Sequence, residues 1–579
     1  VKSLLSGNEA IARGAYEHSV HFAAAYPGTP STEILENISK YDEIRSEWST
    51  NEKIALDVGV GASYAGARVL IAMKHVGLNV ASDPFMVTAF AGVNGGLVIV
   101  AADDPGMHSS QNEQDSRYFA RFAKVPMLEP SDSQEAKDFV GAALEISEKF
   151  DVPVLLRTTT RVSHGKSVVE LGQRKEADVR PYEKNARRHV VPIYGKLLRP
   201  RLEERIRRLE EFSESFPGNV VEKGDGKIGV ITSGIAYQYA REVLPDADFL
   251  KLGLPYPLPR RKILDFVMRF KKVYIIEELE PFIEEQIRAW GVSNIIGKEV
   301  FTNMGELSPG IVRYAVLGKK PVEDFSSEIN ILPRPPVMCA GCPHLGVFHV
   351  LRKLRLTVTG DIGCYTLGTL PPFNAMHTTS CMGSSIGHAF GIEIAQGENL
   401  KGKVVGVIGD STFLHAGMPG LLDVVYNKGI TTVIICDNKT TGMTGHQQHP
   451  GTGRTIKGEP TTRVDYESLC KALGIRFVKK ADPHDLELFE ETLKEALAVE
   501  EPAVVISERS CAMLPSVRKA PHPVYTVDWE KCNACKVCYR FSCPCMDRRG
   551  EKPIIDPDTC VGCGLCAQVC KAEAIVVMS

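Results

Sequence analysis

The sequence predicts an α/β protein made of successive parallel-sheet domains and followed by a small α+β domain framed by cysteines. Over residues 1 to about 180, helical patterns alternate with short apolar runs such as Arg68–Met73, Leu97–Ala102 and Val152–Leu156. That is the rhythm of a parallel α/β layer. It returns at Ile228–Thr232 and Val273–Ile276, and again at Val404–Ile408, Thr432–Cys436 and Ala503–Ser507. The last fifty residues change character and hold two C-x-x-C-x-x-C runs, each followed by a fourth cysteine.

With 579 residues the chain has room for about four domains at ~150 residues each. Residues 1–180 form the first. A charged stretch with scattered proline, 181–226, reads as a solvated helix face or a linker arm. A smaller α/β unit occupies 227–325, and Pro333, Pro335 and Pro336 mark the next boundary. The third α/β unit runs over 333–520 and the cysteine-framed domain over 521–579. A net charge of -3 points to neither nucleic acid nor an anionic membrane as partner. No apolar run approaches the ~18–20 residues of a membrane span, and no charged-then-apolar leader is visible, so a cytoplasmic protein is expected. Half of the 16 cysteines sit in the terminal frame and the rest do not form a secreted disulfide scaffold.

Cys532, Cys535 and Cys538 lead to Cys543, and Cys560, Cys563 and Cys566 lead to Cys570. A short loop of this spacing wraps three irons of a cubane while a distant thiolate closes the fourth, although structural zinc is an alternative. The runs resemble the frame of a two-cluster ferredoxin, in which the fourth cysteine of one run ligates the other cluster. That resemblance implies Cys532, Cys535, Cys538 and Cys570 on one [4Fe–4S] cluster, and Cys560, Cys563, Cys566 and Cys543 on the second. Cys545, beside Cys543, is a spare thiol that can exchange with it.

In the third α/β unit the strand Val404–Ile408 ends in Gly409-Asp410-Ser411, and the strand Thr432–Cys436 ends in Asp437-Asn438. Parallel strands place such loops at their carboxyl ends, where open α/β sheets hold ligands. Mg²⁺ prefers oxygen ligands and bridges protein to phosphate. Asp410 and Asn438 can supply side-chain oxygens and Thr440 a backbone carbonyl, while Gly409 would let the main chain approach a diphosphate. Gly-Asp followed distantly by Asn resembles the thiamine diphosphate motif, with Ser411 in place of the commoner glycine.

Four further segments occur in the expected order: Cys339-Ala-Gly-Cys342-Pro-His344, Gly360-Asp361-Ile-Gly363-Cys364, Cys381-Met-Gly-Ser-Ser385 and Gly442-Met-Thr-Gly-His-Gln-Gln-His-Pro450. Together they resemble the 2-oxoacid:ferredoxin oxidoreductases, most nearly the large subunits of those acting on indolepyruvate. The resemblance implies thiamine-diphosphate-binding domains, a transketolase-C-like domain and a two-cluster ferredoxin domain, in this order. His344, Asp361, Gly363 and Cys364 would then lie at the cofactor, with Cys339 and Cys342 in a lining loop rather than a redox or zinc pair. It also implies Glu52 at N1′ of the aminopyrimidine, Thr29 as donor to the 2-oxoacid and Arg117 as partner of a carboxylate. His75 would lie near the cofactor or be a structural histidine.

The implied reaction is indolepyruvate + CoA + 2 oxidised ferredoxin to indoleacetyl-CoA + CO₂ + 2 reduced ferredoxin, in aromatic amino acid catabolism, with other aryl pyruvates accepted. Family members work with a smaller beta subunit carrying a gamma-type domain, which implies a heterotetramer. The alternatives are an enzyme for pyruvate or branched-chain 2-oxoacids, a non-oxidative thiamine-dependent decarboxylase, and a non-catalytic electron-transfer subunit.

Overall fold

The computed structural model describes residues 1–182, 184, 185, 188, 190–319 and 335–578. It contains two compact units, Val1–Asn330 and Ile331–Ser579. The expected boundary at 325–333, Pro333 included, lies outside the described residues.

The first unit holds a six-stranded sheet in the order Arg45–Trp48, Phe22–Ala25, Val69–Lys74, Leu97–Asp103, Val154–Thr159, Met127–Leu128, with every neighbouring pair parallel. Its central strands are buried along their whole length and mostly apolar, with Lys74, Asp103, Arg157, Thr158 and Thr159 as polar exceptions toward their carboxyl ends. Among the helices of this unit, Gly7–Glu17 starts on a capping box between Ser6 and Glu9, and Ser133–Phe150 starts on Asp132. The predicted strands recur with ends moved by a residue or two, where cap and ladder geometry decide.

A second sheet of the same unit runs Ile295–Ile296, Val273–Ile276, Gly229–Thr232, Asp248–Leu252, Asn219–Glu222, parallel except for the last strand. Where a solvated helix face or linker arm is expected, a 22-residue helix, Pro192–Ser213, buries Leu198, Leu202, Ile206 and Leu209. Its Arg205 donates to the Ala89 carbonyl at 2.6 Å, and the following strand Asn219–Glu222 belongs to the sheet. High charge hides this stretch because one narrow apolar stripe is enough to dock a long helix.

In the second unit five parallel strands run Thr357–Thr359, Val404–Gly409, Thr432–Asp437, Ala503–Glu508, Phe477–Ala481. Val404–Gly409 and Thr432–Asp437 are neighbours, so the loops leaving their carboxyl ends lie side by side. The cysteine-rich end adds two short antiparallel pairs, Tyr525–Val527 with Ile575–Val577 and Met546–Asp547 with Ile554–Ile555. It is not tethered loosely to the sheet. Phe541 and Leu565 belong to the same apolar core as Leu345, Phe348 and Tyr365. Phe541 stacks on His349 at 4.7 Å, and Gln568 bonds the His484 carbonyl at 2.6 Å.

Candidate functional site

In the second unit Asp410 opens a helical run broken by a π-helical turn at Phe413–Gly417, a local irregularity frequent at functional sites. Its carboxylate is buried and accepts from the Ser411 and Lys439 amides at 2.8 and 2.9 Å, with His449 Nε2 at 3.3 Å. Burial opposes its ionisation, but His449 and the Ser411 amide outweigh that and hold the carboxyl below the usual range. Asp437 is pushed up to about 6, first by burial and then by the charge of Asp410.

Lys439 adopts a left-handed backbone with φ 63°. The bend turns its amide toward Asp410 and its ammonium toward Asp437 and Glu508. The same turn folds Asn438 and Thr440 back beside Asp410; Asn438 Oδ1 accepts from the Thr440 amide at 3.2 Å. Asp410, Asn438 and Thr440 therefore converge as the spacing predicts. Ser411 joins them through the Thr441 hydroxyl at 3.0 Å. The oxygen-rich donor set fits Mg²⁺ and a diphosphate.

His344 is the first residue of the helix His344–Leu354, buried, with Nε2 3.5 Å from Asn438 Nδ2. Burial drops its pKa to about 4, so the ring is neutral. Its Nδ1 has no hydrogen-bond partner among the described residues. Asp361 anchors a helix start. Its fully buried carboxylate accepts from the amides of Ile362, Gly383 and Ser385, all at 2.9–3.0 Å, and so anchors the start of the helix Ser384–Gln396. Gly363 and Gly409 also have a packing reason. A Cβ at either would lie 2.4 or 2.7 Å from the Tyr365 ring.

Two small cavities coincide with the predicted cysteine sets. One is lined by Cys532, Cys535, Cys538 and Cys570, the other by Cys560, Cys563, Cys566, Cys543 and Cys545. Burial first, and then the neighbouring thiols, push Cys538 up to about 11 and Cys566 to about 12, the response expected of sulfurs packed around a common centre. Cys538 is itself among the groups that raise Cys566, so the two sets adjoin. Cys545 donates its thiol hydrogen to the Thr559 carbonyl at 2.7 Å and lines the same cavity as Cys543.

Sequence reasoning missed a third gathering of thiols. After burial, Cys339, Cys364 and Cys511 raise the pKa of Cys342, Cys339 and Cys511 raise that of Cys364 to about 11, and Cys339 raises that of Cys511. Gly442 places a Cβ position 3.6 Å from Cys364 Sγ and 3.8 Å from Asn438 Nδ2; Gly341 places one 3.6 Å from Cys563 Cβ. The thiols thus lead from the Asp410 loops to the second cavity. Cys339-x-x-Cys342 is visible in sequence, but Cys364 and Cys511 come from distant loops.

In the first unit Glu52 is the first residue of the helix Glu52–Tyr64, capped by Asn51, and is 4% exposed. A Cβ at Gly77 would lie 2.7 Å from its carboxylate, so only glycine leaves room for the group. The strand Val69–Lys74 ends beside it. Lys74 donates to the Ser109 carbonyl at 3.0 Å, and the Ser109 hydroxyl to the Thr29 carbonyl at 3.1 Å. His75 is buried, with Nε2 3.2 Å from the Asn112 carbonyl. Asp104 ties down the Ser109–Ser110 turn through the Ser109 amide and the Ser110 hydroxyl. Ser109 thus links Lys74 to the Thr29 turn, and Glu52 packs against Gly77, two residues beyond His75.

Arg117 does not join them. Its guanidinium is fully buried and bonds Asp115 at 2.5 Å, Glu277 at 2.6 Å and the Glu278 and Glu280 carbonyls. The carboxylates it pairs with are internal ones that lock the two sheets of this unit together. Arg117, expected as the partner of a carboxylate, has Asp115 and Glu277 in that place.

Comparison with known proteins agrees with this geometry. Residues 361–507 match the thiamine pyrophosphate enzyme C-terminal TPP-binding domain, and residues 13–203 the thiamine-diphosphate-binding domain of pyruvate flavodoxin/ferredoxin oxidoreductases. Residues 553–576 match a 4Fe-4S binding domain, which covers the second cysteine run. These define a thiamine-diphosphate-dependent oxidoreductase of the 2-oxoacid class with its own iron–sulfur domain. Indolepyruvate oxidoreductase subunit IorA of Archaeoglobus fulgidus is 42% identical over 99% of this chain and 97% of its own length. The proteins of that name from Pyrococcus horikoshii and Methanothermobacter thermautotrophicus are 42% and 40% identical over 98% and 99% of the chain, and 96% and 97% of their own. The chain belongs to the indolepyruvate oxidoreductase IorA family.

Proposed function

We propose that this chain is the large subunit of an indolepyruvate:ferredoxin oxidoreductase, converting indolepyruvate, CoA and two oxidised ferredoxins to indoleacetyl-CoA, CO₂, a proton and two reduced ferredoxins. The observation that carries the reading is in the second unit: oxygen donors for a metal diphosphate and two cysteine-lined cavities are built on one continuous core. A decarboxylase that only protonates its intermediate has no use for such a conduit. Thiamine diphosphate, when bound, supplies the carbon that adds to the ketone and holds the electron pair left by CO₂.

In this reading residues 1–180 hold the aminopyrimidine, 227–325 are the transketolase-C-like domain, 333–520 hold the diphosphate, and 521–579 are the two-cluster domain. Asp410, Asn438 and the Thr440 carbonyl hold Mg²⁺, with Ser411 and neutral His344 beside the phosphates. Glu52 would bond N1′ of the aminopyrimidine and so favour the imino tautomer that activation needs. Thr29 lies by the substrate. The two clusters take the cysteine sets given above, and Cys339, Cys342, Cys364 and Cys511 fit a third. A smaller beta subunit carries the gamma-type domain, in a cytoplasmic heterotetramer serving aromatic amino acid breakdown. Among the described residues no helix is long and apolar enough to cross a membrane.

The test is anaerobic purification with the small subunit, followed by CoA-dependent reduction of ferredoxin with a panel of aryl, branched-chain and short 2-oxoacids. Highest kcat/KM with indolepyruvate supports the reading; aldehyde formed without acceptor reduction overturns it. Iron analysis should return about eight atoms per chain for two cubanes and about twelve for three.

A further inference from the structure

With Arg117 consumed by internal partners, the first-unit pocket needs another cation if it is to receive a 2-oxoacid. We infer that Lys74 fills this place and binds the substrate carboxylate, an inference that rests on the proposed 2-oxoacid chemistry.

Lys74 ends the strand Val69–Lys74 at the carboxyl edge of the sheet and is 8% exposed. Its stem is pressed against Gly28, where a Cβ would lie 3.1 Å from Lys74 Cγ and Cδ, so the side chain is held toward the Thr29 turn. Among the described residues its Nζ makes one hydrogen bond, to the neutral Ser109 carbonyl. Arg205 also donates to a carbonyl, that of Ala89, but four other buried cations of this unit meet carboxylates. Arg117 and Arg157 each face two carboxylates, as does Lys137, and Lys251 pairs with Glu135. A desolvated ammonium is costly unless an anion meets it, and it carries three donors. Lys74 has donors to spare in a pocket shared with Thr29, Ser109 and Glu52. A 2-oxoacid carboxylate is an anion of the required size, and the resulting bond would be charge-assisted.

The charged and titratable groups facing Lys74 are Asp104, Glu52 and His75. Burial lowers its pKa to about 8 against the pull of Asp104 and Glu52. Burial also lowers His75, which stays neutral, while the hydrogen bonds to Asp104 keep that carboxylate ionised. Carboxylate binding should therefore weaken above about pH 8, as Lys74 loses its proton.

The experiment uses the anaerobic two-subunit holoenzyme with a viologen dye, and 3-phenylpropanoate or its neutral amide as competitive ligands. Wild type should bind the acid more tightly than the amide, with the preference fading above about pH 8. Lys74→Met should raise KM for aryl pyruvates by roughly 10- to 100-fold and change kcat less, the pattern of a lost ground-state contact. It should also abolish the acid-over-amide preference while thiamine diphosphate content and Tm hold. Lys74→Arg should move the alkaline limb upward. Lys74→Gln carries the same comparison if the Met variant does not fold. Equal weakening of acid and amide, an unchanged preference, or loss of cofactor would overturn the inference. Wild type that turns over no aryl pyruvate would instead defeat the functional reading, since ligand binding tests Lys74 independently.

Discussion

The cysteine-rich end and the Glu52–Lys74 pocket were built by the chain in opposite ways. In the first, ligands a few residues apart line the cavities they were expected to line, and the fourth thiol of each set arrives from the other run. In the second, three strands bring Thr29, Lys74 and Ser109 together, and the arginine that looks most like a substrate anchor turns inward. Local spacing can be trusted where one loop must wrap one object. It says little about which of several buried charges remains available after long-range partners have been chosen.

That contrast can be tested from the strongest effect downward. Cys563→Ser should abolish ferredoxin reduction and lower the iron count by about four atoms while leaving thiamine diphosphate in place. Cys545→Ser should leave iron unchanged, because its thiol is engaged with Thr559. Iron lost equally from Cys545→Ser and Cys543→Ser would show that those two thiols exchange. Glu52→Gln keeps the shape beside Gly77 but weakens the proton function, so kcat should fall by roughly 10²- to 10⁴-fold with cofactor still bound. A kcat within a few-fold of wild type would return Glu52 to the role of an ordinary buried helix residue.

Asp410→Ala should strip Mg²⁺-dependent cofactor retention, measured as thiamine content after desalting; normal content would displace the metal assignment. The smallest effect on chemistry is expected from Arg117→Met. It leaves Asp115 and Glu277 buried without their cation and should cost about 3–5 kcal/mol of stability in denaturant unfolding. KM of the folded fraction should stay near wild type. A large rise in KM at unchanged stability would restore Arg117 to the substrate.

Much of the candidate site was legible before any fold was known. Asp410, Asn438 and Thr440 converge because two strand ends adjoin in a parallel sheet, a rule that holds over short stretches. Asp361 and Gly409 were recognised as special, yet their reasons differ: one anchors a helix and the other makes room for Tyr365. Motif matching marks that a residue type is required and is silent on what requires it. The helix Pro192–Ser213 escaped notice because charge dominates its composition and only a stripe of leucine and isoleucine is buried.

Periodicity, strand-end glycines and cysteine spacing specified the parallel sheets, the Asp410 loops and the two thiol sets, since backbone geometry confines neighbours in the chain to neighbouring places. Folding in three dimensions settled the pairing of buried charges, the gathering of Cys339, Cys342, Cys364 and Cys511, and the lone ammonium at Lys74. Those outcomes depend on desolvation and on contacts between residues far apart in sequence, and neither quantity exists until the chain has packed.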